Sequence, residues 1–398
     1  MTIPGQTISE TRFVPATSMS ALVNEELRLD SYFHPNLGGI TQGGMSNHYP
    51  MTILSLHGLG ASDEEVEAFR SAWPRYRARI DEDLELVDSH QVRSENWTDY
   101  LGQPCYLLEF RRVFYEGLEA SINQPTYIAS VLEVMCDALP MGLFHPLIRL
   151  SFACMHGDNG LIADALAYMA IRYFDLYRSP LTPTVSIEGS ALGAGECWAR
   201  LNQSVSGLQF TAPQAPLRGG SLHICEQLCA QQAVQNAALS RGFDISEENL
   251  EQRIQEISLC AIRLYLFEPA LTTLHAVTGC QALADLTLRC TERSADRATF
   301  VELWRRYWVW LTGLYLEKGH PPRLPVIDPA AAPGVNRADW RKLAADARKI
   351  PEVHLIKMAF SCKWLYENVE ASAYYKLAVM NILVERNPHP VSVQGLVL

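Results

Sequence analysis

Apolar residues recur every three to four positions over 63–80, 106–120, 124–138, 161–177, 246–266, 298–316 and 352–384. This is the period of an amphipathic helix. Alternating apolar and polar text, which a half-buried strand requires, is hard to find. A chain patterned in this way buries its apolar stripes by packing helix on helix. The expected fold class is therefore all-α, a single large helical domain over residues 1–398, with 1–30 as an N-terminal extension. Ser62 and Glu65 form a capping-box pattern, and Pro146 and Pro351 stand where first helical turns begin. Two segments, 179–220 and 317–336, are rich in Pro, Gly, Ser, Thr or Ala and read as long loops, which often form entrance walls.

The 398 residues are 48% apolar and 19% charged, with a net charge of -11 and both signs interspersed. Such a surface disfavours a phosphate-backbone partner, so nucleic acid is not expected. The start of the chain lacks the basic and apolar regions of a secretion signal, and no apolar stretch approaches the roughly 18 residues of a membrane span. A cytoplasmic protein without membrane association follows. The ten cysteines are scattered through apolar text and read as reduced core residues. Of these, Cys225 and Cys229 have a metal-like spacing, with no second pair to complete a tetrahedron. The Gly-rich stretches "GGITQGG" and "GSALGAG" match neither a dinucleotide fingerprint nor a phosphate loop.

What remains is histidine. The segment "SNHYPMTILSLHGLGAS", residues 46–62, is expected as one buried helix that opens on His48. His57, nine residues later, falls on the opposite helical face and reads as a core or surface residue. His145, His275 and His354 lie in apolar helical text, and Lys357 follows one turn after His354. Any one of these histidines alone reads as a core residue satisfied by backbone or water; four together point to a shared site. His156 and His223 rank below them as spare ligands or acid–base groups, and Asn47 is a candidate to cap the helix or orient His48. Lys357 either snorkels to the surface or is buried and neutral. A neutral buried amine can add carbon dioxide and become a carbamate, an anionic oxygen ligand. Imidazoles with one carboxylate-like oxygen suit ferrous iron with a position open to oxygen.

"SNHYPMTILSLHGLGAS", "NWTDYLGQPCYLLEFRRVFYEGLE", "LFHPLIRLSF", "TLHAVTGCQAL" and "VHLIKMAFSCKWL" resemble, in order, successive blocks of the questin oxidase-like family. The resemblance covers roughly Tyr32 to Leu365. These enzymes oxidatively open rings in anthraquinone and related polyketide pathways. The resemblance implies an all-helical fold holding one non-haem Fe(II), with molecular oxygen as co-substrate and an aromatic or polyketide-like small molecule as substrate. Carried over block by block, the implied metal ligands are His48, His145, His275, His354 and a carboxylated Lys357, with His48 and Lys357 also catalytic. One departure stands out: relatives commonly carry a second histidine where this chain has Met51.

The implied reaction is attack of activated oxygen beside a substrate carbonyl, giving C–C cleavage or oxygen insertion. A dry pocket would draw on the aromatic helix "LWRRYWVWLTGLYL", whose plain alternative is core. Two rival classes stay open. An NADPH-dependent, Baeyer–Villiger-type monooxygenase is one, against which the missing dinucleotide fingerprint counts. A helical binding protein that has lost its metal is the other, with Met51 as its hint. Large apolar helical surfaces make a homodimer a candidate assembly.

Overall fold

The structure, a computed structural model, describes residues 19–39, 45–73, 78–80, 91–177, 192–204, 231–239, 243–291, 294–319 and 334–386. Among the described residues the fold is all helical, with no sheet; pairing of extended backbone is limited to two isolated bridges, Phe33 with Arg79 and Asn36 with Ser46. The helices in chain order are α1 (Ala21–Asp30), α2 (Tyr49–Gly58), α3 (Asp63–Ala72), α4 (Leu107–Ala120) and α5 (Gln124–Val134). They continue with α6 (His145–His156), α7 (Asn159–Ile171), α8 (Ala194–Ser204), α9 (Gln232–Leu239) and α10 (Leu250–Phe267). The last are α11 (Leu271–Cys290), α12 (Ser294–Glu317), α13 (Trp340–Arg348), α14 (Val353–Asn368) and α15 (Ala373–Arg386). No helix among the described residues is long and apolar enough to cross a membrane.

The centre of the fold is α11, buried without interruption from Thr272 to Thr287. A helix buried on every face has to be surrounded, and α11 packs against α6, α10, α12 and α14. In turn α14 packs on α2, and α2 on α6, so α2, α6, α11 and α14 close a ring.

Several sequence expectations need correction. The helix expected over 352–384 is two, α14 and α15. Asn368 turns its side-chain amide back to the Trp364 carbonyl at 2.8 Å, and the Ser372 hydroxyl accepts the Tyr374 N–H at 3.4 Å. Short polar side chains of this kind compete with the helical ladder. The helix that opens the stretch 63–80 ends at Ala72, because Trp73 precedes Pro74 and takes extended backbone, φ -67° and ψ 135°. Within the expected loop 179–220, residues 194–204 form α8, and the expected N-terminal extension contains α1, capped by Ser20.

The aromatic helix is core rather than pocket wall. Trp304, Tyr307, Trp308, Trp310 and Tyr315 are fully buried. Trp304 donates to Thr287 Oγ1 at 3.0 Å, Trp308 to the Ala238 carbonyl at 3.0 Å and Tyr307 to the Ala276 carbonyl at 2.6 Å. The buried cysteines 197, 260, 280, 290 and 362 are free. His223, Cys225 and Cys229 lie outside the described residues.

Candidate metal centre

The N-terminal ends of the four ring helices meet, and each carries a histidine. His48 is the N-cap of α2, His145 the first residue of α6, His275 lies in the opening turns of α11, and His354 is the second residue of α14. Lys357 stands one turn further along α14. Ring centroids are 4.5 Å apart for His48 and His145, 4.8 Å for His48 and His354, 4.5 Å for His145 and His275, and 5.4 Å for His275 and His354. The ligand atoms of His48, His145 and His354 all lie within 4.8 Å of one another. The structure thus brings together all five residues singled out in the sequence, with His48, His145, His275 and Lys357 buried.

Three of the four histidines, His145, His275 and His354, are oriented by partners outside the cluster. His145 follows three residues in left-handed conformation, Gly142 (φ 62°), Leu143 (φ 53°) and Phe144 (φ 62°). For Leu and Phe this is strained backbone, the kind retained where geometry matters more than stability. The turn points the Gly142 carbonyl at His145 Nδ1. Phe144 is wedged against Gly279 of α11, where an added Cβ would come 2.7 Å from the Phe144 ring, and against Tyr307 and Trp310 of the aromatic helix. His275 Nδ1 lies 2.7 Å from the Leu271 carbonyl one turn back. His354 Nδ1 lies 3.0 Å from Glu352 Oε1. Burial pushes the Glu352 carboxyl up, but the bond from His354 and the His354 and Leu355 backbone N–H groups outweigh it and bring it down to about 2. Glu352→Gln is expected to weaken metal binding by about 10- to 100-fold, since an outer partner fixes ligand tautomer and basicity. Competition against a chelator of known affinity checks this, and an unchanged constant would remove Glu352 from the site.

The donor set itself fits a cation. The carbonyls of Gly142 and Leu271 accept only N–H, so His145 and His275 carry their protons on Nδ1 and present bare Nε2 lone pairs. Those two Nε2 atoms face each other at 3.1 Å. Lone pairs at that distance repel unless a cation lies between them or one ring takes a second proton. Protonation is opposed, because burial, then His275 and Lys357, lower the His145 pKa well below its ordinary value. His48 is held well below by burial, then Lys357. Four helix N-termini add positive potential against imidazolium.

Lys357 does not snorkel. It is 1% exposed, makes no ion pair among the described residues, and sets Nζ 3.1 Å from His48 Nδ1. Burial pulls its pKa down to about 7, with Glu352 acting weakly the other way.

Behind His48 lies a charged network for which the sequence pattern gives no cue. Asn47 accepts the Tyr49 N–H at 3.1 Å and donates to Asp30 Oδ1 at 2.8 Å. Arg149, one turn after His145, reaches Asp30 Oδ2 at 3.2 Å and donates from Nε to Asp164 Oδ2 at 2.7 Å. Arg111 pairs with Asp164 Oδ1 at 2.7 Å. Asp30, Arg149 and Asp164 are all buried. Asn47 thus accepts the N–H of the first residue of α2.

His57 and His156 lie elsewhere. His57 is half-buried near the C-terminal end of α2 and neighbours His156, not the cluster. His156 closes α6 and bonds through Nε2 to Asn24 Oδ1 at 2.9 Å. Met51 is buried and lines a narrow void with Leu27, Leu54, Arg149 and Phe152.

No curated protein matches the chain. The profile of the Questin oxidase-like family matches residues 45–362, a span that begins just before His48 and ends just beyond Lys357. With its all-helical fold and a family match across the entire cluster, the chain belongs to the Questin oxidase-like family and is an oxidoreductase.

Proposed function

We propose that the cluster binds one ferrous ion through His48, His145, His275 and His354, completed by a carbamate on Lys357. The protein then uses dioxygen to cleave a C–C bond of, or insert oxygen into, an aromatic polyketide-like substrate. The observation that supports the metal reading is the pair of Nε2 atoms of His145 and His275 facing each other at 3.1 Å, a repulsion that a bound cation relieves. Four imidazoles and one anionic oxygen are a donor set suited to iron(II). An iron(II) centre in this set supplies dioxygen activation.

The chain's own residues supply the rest. The Lys357 amine attacks carbon dioxide through its nitrogen lone pair, forms an N–C bond and releases one proton. His48 Nδ1, 3.1 Å away, accepts an N–H of Lys357 and orients the nitrogen, and the released proton leaves to solvent. The helix N-termini that oppose imidazolium favour the anionic carbamate. Glu352, the Gly142 carbonyl and the Leu271 carbonyl hold three rings with Nε2 toward the cluster. The buried packing of α11 against α6 and α14 keeps bulk water from the ligand atoms.

The test is the iron content of protein purified without chelator, with oxygen uptake measured on an anthraquinone or related polyketide. About one iron per chain is expected, lost in His48→Ala and His275→Ala and retained in His57→Ala. No metal after anaerobic reconstitution with ferrous iron would overturn the proposal.

A further inference from the structure

Helix α6 begins at His145 in the cluster and ends at His156, about 16 Å away along its axis. At that far end a cleft of about 1040 Å³ opens between α1, α4 and α7. Its volume is that of a small-molecule site, typically about 300–1,000 Å³. We propose that this cleft is a second ligand site, separate from the metal cluster, and that it takes an organic anion with a flat apolar body.

The chemistry of the walls selects that class. Leu27, Leu108, Leu161 and Ala163 supply an apolar floor. Tyr32 and Tyr115 line it while 53% and 46% exposed, two ring faces open to stacking. Arg28, Arg79, Arg111 and Arg112 also line it, against one lining carboxylate, Asp158. Asp158 is already engaged in capping α7, where its Oδ1 accepts the Leu161 N–H at 2.9 Å. Arg111 and Arg112 are paired with Asp164 and with Glu109 and Glu116. Arg28 makes no ion pair among the described residues. A guanidinium beside an apolar floor matches a carboxylate, sulfonate or phenolate head by charge and by its forked donors.

A second polar group adds an acceptor to the charge selection. His156 lines the cleft, is only 9% exposed, and keeps Nδ1 without a hydrogen-bond partner. Its Nε2–H donates to Asn24 Oδ1, so Nδ1 is a buried bare acceptor, which a hydroxyl or N–H on the occupant's flat body satisfies. The occupant also meets the network behind the metal cluster, since Arg111 on the cleft wall is the outermost member of the chain Arg111, Asp164, Arg149, Asp30, Asn47.

The experiment uses the full chain and two dyes of nearly the same shape, the aromatic sulfonate 1-anilinonaphthalene-8-sulfonate and its uncharged analogue N-phenyl-1-naphthylamine, titrated by fluorescence. The sulfonate is expected to bind with one equivalent per chain, and the neutral dye about tenfold or more weaker. Arg28→Glu, at an exposed position, is expected to weaken the sulfonate about tenfold or more with an unchanged melting temperature. Tyr115→Ala is expected to weaken both dyes, and His275→Ala neither. Equal affinity of the two dyes, or of Arg28→Glu and the parent, would overturn the proposal. Loss of the sulfonate in His275→Ala would move the dye to the metal cluster and also overturn it. The iron content plays no part in these readouts, so this site and the proposed iron centre stand or fall separately.

Discussion

Replacing Lys357 with methionine is expected to abolish iron binding and oxygen uptake while making the metal-free protein more stable. The two effects have one cause. The Lys357 side chain is 1% exposed and has no carboxylate partner among the described residues; burial holds its pKa at about 7. In the unfolded chain the same amine binds a proton up to about 10.4. Between about pH 7 and pH 10 the unfolded state therefore carries the extra proton, and stability of the metal-free protein rises with pH across that window. Below about pH 7 the full burial penalty, of the order of several kcal/mol, opposes folding. Methionine has a similar length and no charge, so it removes both the penalty and the slope. Without the amine no carbamate forms, and the anionic oxygen of the proposed donor set is gone. Thermal melts of metal-free protein from pH 6 to pH 10, with iron analysis, check the pair of effects. A variant that kept about one iron per chain would remove the carbamate from the site. One with an unchanged pH slope would show that Lys357 is charged when folded.

Arg149→Leu is expected to be the most destabilising single change near the site, by roughly 3–5 kcal/mol, because it leaves Asp30 buried without its cation. Asp164 keeps Arg111 at 2.7 Å. Burial raises the Asp164 pKa, but Arg111 and then Arg149 outweigh it and hold it below the usual carboxylate value. The double variant Arg149→Leu, Asp30→Asn removes one charge of each sign and is expected to recover much of the loss, a coupling of about 1–3 kcal/mol. Urea unfolding of the four proteins gives the cycle directly. Additive losses would mean that Arg149 and Asp30 do not stabilise each other. Because Asn47 donates to Asp30 at 2.8 Å and caps the turn beside His48, the single variant is also expected to bind iron more weakly than its stability alone predicts.

Local patterning suffices for the helical class and for singling out the five clustered side chains. A period of 3.6 residues is a local property, so helix against strand is decided within a dozen residues. His48, His145, His275, His354 and Lys357 were legible because a polar side chain inside apolar helical text has to be satisfied somewhere, whatever the fold. The boundaries were less legible, as at Ser372, where one hydroxyl starts a new helix in text that keeps its period. The aromatic run of α12 was ambiguous because core and pocket wall look alike in sequence, and only the neighbours of Trp304 and Tyr307 make it core.

The meeting of these five side chains is a tertiary matter. His48 and Lys357 are 309 positions apart and touch at 3.1 Å. Nothing local encodes that contact; it follows from the ring that α2, α6 and α14 close with the buried helix α11. The same holds for Glu352, Asp30 and Asp164, which as sequence are ordinary surface-type carboxylates and become fixed charges only when buried against His354 and Arg149. The left-handed turn at Leu143 and Phe144 is the clearest case: its strain is held by Gly279, Tyr307 and Trp310, residues of two other helices. Local periodicity selects the elements and their buried polar residues, while the direction in which each imidazole points is set by packing between segments far apart in the chain.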